Sequence, residues 1–257
     1  MNPIERAAGL LEGARHAVAL TGAGMSTRSG IPDFRSPGSG MWEQVDPLEV
    51  ASVFAFRRKP ETFFDWIRPL ARQLLTAQPN SAHLALAQME AAGFVQAVIT
   101  QNIDGLHQKA GSQCVLEVHG HLREATCIRC YRTFATEQFA QAFLAEGGVP
   151  HCPACGNVLK PNVILYGEQL PAAVMREAQR HTRQCDVMLV AGSSLEVVPA
   201  SDLPRLARQR GARLILVNLQ PTYVDDQAEV VLHADVAEVL PQIAQACGTP
   251  LLEYDRT

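Results

Sequence analysis

Four short apolar runs, each closing on Gly, Asn or Ser, most constrain what this chain can become. They are HAVALTG at 16–22, VQAVITQN at 95–102, CDVMLVAGSS at 185–194 and ARLILVNLQ at 212–220. Runs rich in Val, Ile, Leu and Ala without polar alternation read as strands buried on both faces. Helix-like stretches separate them: PNSAHLALAQMEAAG, LPAAVMREAQRHTRQ and LPRLARQRG. This alternation predicts an α/β fold built on a doubly wound, Rossmann-like parallel sheet. Such sheets bind ligands beyond the carboxyl ends of their strands, at a switch point. The polar strand ends are therefore where function is to be sought.

Two regions break the alternation. Residues from about 37 to 78 look helical and hold most of the Phe and Trp, and residues 127–155 carry two CxxC pairs. The expected organisation is one domain over 1–257, with a core at about 1–36, 79–126 and 157–247. A helical insert falls at about 37–78 and a small zinc module at about 127–156. A chain of 257 residues buries a substantial core without disulfides. The formal net charge of −4 gives no general attraction to nucleic acid. No apolar run reaches the roughly 18 residues of a membrane helix, and the N-terminus lacks the apolar core of a signal peptide. A cytoplasmic protein with no membrane or nucleic-acid partner is expected, acting as a monomer.

The first strand leads into LTGAGMSTRSGIPDFRS, residues 20–36. Gly22 and Gly24 allow a tight turn and close backbone approach to a phosphate. The dinucleotide pattern GxGxxG fails, since position 27 is Thr27, and no acid closes a recognisable second strand about 20 residues on. A hydride-transferring dehydrogenase, which would form NADH, is thereby disfavoured. Arg35 suits a bidentate grip on a pyrophosphate, and Phe34 a cover over a planar or reactive group. The second strand ends on Gln101, Asn102 and Asp104, the third on Gly192, Ser193 and Ser194, and the fourth on Asn218. These small polar groups suit phosphate, ribose or adenine.

Cys127–Cys130 and Cys152–Cys155 are two CxxC pairs with 21 residues between them, just beyond the usual ribbon spacing of about 15–20. Four thiolates are the ligand set of a closed, structural zinc. His151 adjoins Cys152 as a competing ligand. Cys114, Cys185 and Cys247 are scattered and read as buried thiols. Zinc ribbons also serve nucleic-acid-binding proteins, but here Arg129 and Arg132 are offset by Glu137 and Glu146, with no basic stripe.

In this order, GAGMSTRSGIPDFR, TQNIDGLH, VHG at 118–120, the CxxC pairs, GSS and VNLQ resemble the sirtuins, the NAD-dependent protein deacylases, over nearly the whole chain. VHG replaces a common LHG, GSS a common GTS, and KPNVILYGE a common RPxVVxFGE. The resemblance implies NAD as co-substrate, one structural Zn2+ and acyl-lysine proteins or peptides as partners. The acyl group would pass from lysine to ADP-ribose with release of nicotinamide; mono-ADP-ribosyl transfer is the alternative.

Site residues follow from the same resemblance. His119 would be the general base on the ribose hydroxyls, a task suited to an imidazole titrating near neutral pH. Asn102 would hold the ribose region and a water. Ile103 and Asp104 would bind the nicotinamide carboxamide, walled by Ala23, Ile31 and Phe34. Gly22, Ser26 and Arg35 would take the phosphates; Gly192, Ser193, Asn218 and Val236 would surround adenine and its ribose. Gly24, Asp33, Gln101, Ser194 and Leu219 complete the cofactor set. The peptide would add as a strand between the VILYGE and LEVVP segments. His83 reads as a core or capping residue and His107 as orienting its loop.

Sirtuins that remove succinyl or malonyl groups carry a Tyr and an Arg three residues apart before a Pro-Asn-x-Ala-His segment. Here the stretch before Pro79 contains no Tyr. Phe63, Phe64, Trp66 and Ile67 are expected to give an apolar acyl pocket that favours acetyl over succinyl.

Overall fold

The computed structural model describes residues 2–34, 40–43 and 45–249. It divides into two compact units, one of Met1–Ser29, Gln78–Val118 and Ala172–Thr257, the other of Gly30–Ala77 and His119–Pro171. Elements are numbered in chain order.

The first unit is the predicted sheet. Strands β1 (Ala17–Thr21), β2 (Ala97–Thr100), β3 (Val115–Glu117), β7 (Val187–Ala191), β8 (Arg213–Val217) and β9 (Val230–Leu232) lie in the order β3-β2-β1-β7-β8-β9. All are parallel, with Leu20 opposite Ile99 on one side and Val190 on the other. Every residue of β1, β2, β7 and β8 except Arg213 is buried, as strands covered on both faces require.

Alternate residues divide between those faces. Ala17, Ala19, Val98, Leu189 and Ile215 share one core with helices α1 (Pro3–Glu12), α5 (Ser81–Ala91) and α10 (Val236–Ala246). Helices α8 (Ala172–Gln184) and α9 (Leu203–Gln209) pack together, α8 against β3 and α9 against β7 and β8. Burying a side chain such as Leu189 contributes about 1.5–3 kcal/mol. Short α6 (Leu106–Lys109) follows β2. The order reverses at β1, so the switch point lies where β1 meets β7.

The second unit joins α2 (Pro47–Val50), α3 (Val53–Arg58), α4 (Pro60–Thr76) and α7 (Glu137–Glu146) with an antiparallel sheet. That sheet is β4 (Gly120–Cys127), β5 (Thr133–Ala135) and β6 (Leu159–Val163), in the order β5-β4-β6. The helical segment and the cysteine segment, which read as separate pieces in the sequence, belong to this one unit. Long-range contacts join them: Phe64 meets Phe143 edge-on at 5.5 Å, and Arg72 donates to the Leu144 carbonyl. Phe56, Phe63 and Phe64 form the aromatic centre, each at most 3% exposed. Among the described residues, no helix is long and apolar enough to cross a membrane.

Candidate functional site

At the switch point the glycines are fixed by close approach. The Gly24 N–H donates to the Gly192 carbonyl at 2.9 Å. A Cβ on Gly22 would lie 2.8 Å from the Gly192 oxygen, and one on Gly24 would lie 2.9 Å from the Gly192 Cα. Gly192 has φ +60, and its own Cβ would meet the Met25 nitrogen at 2.5 Å. No larger residue fits where these three backbones touch. The turn that follows β1 is thus held against the end of β7, and its amides lie beyond the carboxyl edge of the sheet.

Behind this turn sits a buried polar chain. Ser26, 1% exposed, donates its hydroxyl to Asp104 Oδ2 at 2.7 Å and accepts from Asn102 Nδ2 at 3.1 Å. Asn102 Nδ2 also donates to the Gly22 carbonyl at 3.0 Å. That uses the amide hydrogens and leaves the Asn102 carbonyl oxygen to accept from a ligand. Asp104 Oδ1 accepts the Leu106 N–H at 2.9 Å. Burial pushes the Asp104 carboxyl up, and the bonds from Leu106 and Ser26 partly counter it.

His83 closes the chain. Asn80 caps α5, and its backbone N–H donates to His83 Nδ1 at 3.3 Å, so His83 is both the capping partner and a core residue. Its Nε2 then carries the proton toward Ser26 Oγ at 3.4 Å. Burial holds the imidazole down to about 4. His107 lies edge-on to His83 at 4.9 Å and meets Thr21 Oγ1 at 3.0 Å, tying the loop after β2 to the end of β1. Sequence reasoning gave His83 no part in holding Ser26. The available signal was Asn80 followed three residues later by a side chain able to return to the cap.

The remaining first-unit residues are strand-end groups. Gln101 Nε2 donates to Ser193 Oγ at 2.9 Å, and the Leu195 N–H reaches the same oxygen at 3.3 Å. The Ser193 hydroxyl hydrogen is thus left for a ligand. Ala23 begins the turn beside Gly22, Ile103 lies between Asn102 and Asp104, and Ser194 follows Ser193. Asn218 follows β8 directly, with its amide on the Gln220 carbonyl at 2.7 Å, Leu219 is exposed, and Val236 opens α10.

In the second unit Phe34 stacks on Trp42 at 5.1 Å, and Trp42 stacks on Trp66 at 5.3 Å. Backbone bonds from Met41 to Asp33 and from Trp42 to Phe34 hold that stack, and Ile31 is buried nearby in sequence. Arg35 lies outside the described residues. Half-buried His119 has its carbonyl bound by the Ile164 N–H at 2.9 Å. Gly120 follows at φ +78, where a Cβ would strike the Asn162 oxygen at 2.0 Å. Only glycine lets β4 start there against β6.

Cys127, Cys130, Cys152 and Cys155 bring their sulfurs within 4.8 Å of one another. Two of the separations are 3.4 and 3.7 Å. Tetrahedral zinc with bonds of about 2.3 Å places sulfurs roughly 3.8 Å apart, so the donor set fits that ion. Burial opposes ionisation of Cys127, but the N–H groups of Cys130 and Arg129 together with the neighbouring Cys155 and Cys130 thiols outweigh it and hold the thiol down to about 6. His151 turns its Nδ1 to the Gly156 carbonyl at 3.1 Å and is not part of the cluster.

Comparison with known proteins agrees with this geometry. The model of the Sir2 family matches residues 22–199. An NAD-dependent protein deacylase 2 from Archaeoglobus fulgidus is 44% identical over 94% of this chain and 95% of its own. An NAD-dependent protein deacetylase 1 from Geobacillus kaustophilus is 44% identical over 91% of this chain and 94% of its own. A structure solved in work on the mechanism and regulation of Sir2 enzymes superposes with TM-score 0.91 at 43% identity, covering 96% of this chain and 98% of that one. Sir2Tm bound to a propionylated peptide superposes with TM-score 0.86 at 38% identity, covering 95% and 98%. With glycines packed at the switch point, a buried Ser–Asp–Asn chain behind them and a four-cysteine cluster, this chain belongs to the Sir2 family.

Proposed function

We propose that this protein is an NAD-dependent protein-lysine deacylase, transferring the acyl group from lysine to ADP-ribose. The observation that carries the reading is the buried hydroxyl of Ser26 behind the glycine turn, bonded to His83, Asp104 and Asn102 at once. Relatives named as NAD-dependent deacylase and deacetylase support it. NAD supplies the ribose that receives the acyl group and the nicotinamide that leaves. Ile103 and Asp104 bind the carboxamide, with Ala23 as a wall on the same unit. Asn102 accepts from a ribose hydroxyl through its remaining carbonyl oxygen. Gly22, Ser26 and Arg35 serve the phosphates, and Gly24 and Asp33 belong to the same cofactor set. Gly192, Ser193, Asn218 and Val236 surround adenine and its ribose, and Gln101, Ser194 and Leu219 complete the cofactor set. His119 takes the ribose proton at its imidazole. The peptide pairs as a strand with the VILYGE segment at 163–168. The four cysteines hold zinc away from substrate, because no ligand position is left open.

The acyl group is uncharged. Phe63, Phe64 and Ile67 are 1–3% exposed in the aromatic core, so of the four expected pocket residues Trp66 is the one with a face to offer. Arg68 lies 3.6 Å from Asp65 and packs against Gly147, and Arg72 is bound to Leu144. Neither arginine is left to meet a distal carboxylate, and a buried unpaired carboxylate costs several kcal/mol. We further assign the protein to the cytoplasm, as a monomer without nucleic-acid or membrane partners. The decisive experiment incubates the protein with acetyl- and succinyl-lysine peptides, with and without NAD. Deacetylated peptide and nicotinamide in equal amounts, only with NAD and faster for acetyl, are expected. NADH absorbance at 340 nm, or turnover without NAD, would overturn the reading.

A further inference from the structure

We propose that α3 carries a docking surface for acidic residues that flank the acylated lysine. This rests on the reading that the VILYGE segment at 163–168 pairs with the substrate peptide. Tyr166 already gives both backbone groups to the junction of α2 and α3: its N–H donates to the Ala51 carbonyl at the end of α2, and its carbonyl accepts the Val53 N–H at the start of α3, each at 2.9 Å. The next residue, Gly167, is exposed at φ +86, and a Cβ there would meet the Phe54 ring at 3.4 Å. Buried Val53 at 3.3 Å and exposed Phe54 are therefore the side chains that border the segment where it continues past Tyr166, and of the two only Phe54 offers a surface.

Phe54 is 75% exposed, whereas Phe56 on the same helix is 1% exposed in the aromatic core. The fold explains Phe56 and gives Phe54 no burial. Arg57 and Arg58 stand three and four residues after Phe54, on its face of the helix, and Lys59 follows; all three are exposed. Among the described residues none of the three has a carboxylate partner. Helix-end cations complement the helix dipole, which accounts for the arginines but not for the ring beside them. The one acid of the peptide-pairing segment, Glu168, is neutralised by Lys160 Nζ at 2.9 Å. A chain of net charge −4 thus presents an aromatic floor with three cations at this edge. That is complementary to a peptide with Asp or Glu, and an apolar residue, to one side of the acyl-lysine.

The test uses two acetyl-lysine peptides matched except for flanking Asp/Glu or flanking Lys/Arg. Anisotropy reports their affinity, and steady-state turnover at saturating NAD reports KM. The acidic peptide should bind about three- to tenfold more tightly at low ionic strength, the gap closing toward about 0.5 M salt. The double charge reversal Arg57→Glu with Arg58→Glu should invert the order, and Phe54→Ala should weaken the acidic peptide a few-fold at every salt concentration. Equal affinities for the two peptides, or an unchanged ratio in the double variant, would overturn the proposal. Preference without NAD-dependent turnover would instead sustain the surface and overturn the deacylase reading.

Discussion

Acid should destabilise this protein through its buried histidines, and replacing His83 with Asn should remove a measurable share of that loss. His83 is fully buried, and burial lowers its imidazole from 6.5 to about 4. In the unfolded chain it titrates near 6.5, so between those values the unfolded state binds the extra proton. The stabilisation is complete above the unfolded value and is lost as pH falls toward the folded one. A shift of about 2.5 units at 1.36 kcal/mol each gives about 3 kcal/mol in all, and about 2 kcal/mol of it is gone by pH 5. His107 adds loss of the same sign, since burial and then the neighbouring His83 push it well down. His16 and His181 do likewise, each lowered by burial and by Arg180. Asp104 opposes them at the acid end, because burial raises it and its protonation favours the fold. Acid release of zinc would affect wild type and variant alike. Urea unfolding at several pH values between about 7.5 and 5 therefore reads His83 together with its share in holding His107 down. The stability gap between wild type and the His83→Asn variant should narrow by about 2 kcal/mol across that range. Parallel profiles would refute the reasoning and mean that His83 accepts a proton within the fold.

Cys152→Ala should lower bound zinc, read by elemental analysis, and thermal stability together, since structural zinc is coupled to folding; a metal-free variant of unchanged Tm would contradict the four-cysteine assignment. His119→Ala should cost about 10²–10⁴ in deacylation rate while the unfolding transition stays put, and near-normal turnover would require another base. Lys160 donates to Glu168 and to the Pro161 and Val163 carbonyls, and Glu168 accepts the Leu165 N–H. Lys160→Met should therefore cost about 1–3 kcal/mol by urea unfolding and raise peptide KM, with Lys160→Arg milder on both; no change in either would show that the pair does not hold this segment.

The four strands legible in the sequence are those whose runs are long enough and apolar enough to need cover on both faces. Two others escaped. Val115–Glu117 and Val230–Leu232 are three residues each and sit at the sheet edges, too short to show a period. The cysteine pairs were legible because ligand chemistry fixes their spacing, whereas β4, which ends on Cys127, and β6, which begins four residues after Cys155, give no comparable signal. Gly22 and Gly24 were read as making room for phosphate. Their backbone contact with Gly192, about 170 residues away, depends on β1 lying beside β7, which one sequence does not reveal. The same holds for the hydrogen bond from Ser26 to Asp104, and for the arginines of α4, whose partners lie on α7 or one turn away.

The zinc cluster and His119 lie at opposite ends of the same two strands. β4 begins immediately after His119 and ends on Cys127, a length of about 23 Å at 3.3 Å per residue. β6 begins four residues after Cys155 and ends one residue before Ile164, whose N–H binds the His119 carbonyl. Their register is regular at the cysteine end, where Cys127, Thr126 and Ala125 face Leu159, Lys160 and Pro161. It then shifts, so that Gly120 faces Val163. A strand pair that carries such an irregularity is fixed less by its own ladder than by its ends. At one end the anchor is four sulfurs set to share a metal. At the other it is the close Gly120–Asn162 approach, backed by Lys160 and Glu168. On the proposed reading, in which His119 is the base, a metal with no open coordination position would still bear on the chemistry: it would fix the far end of the two strands whose near end sets where the His119 backbone stands.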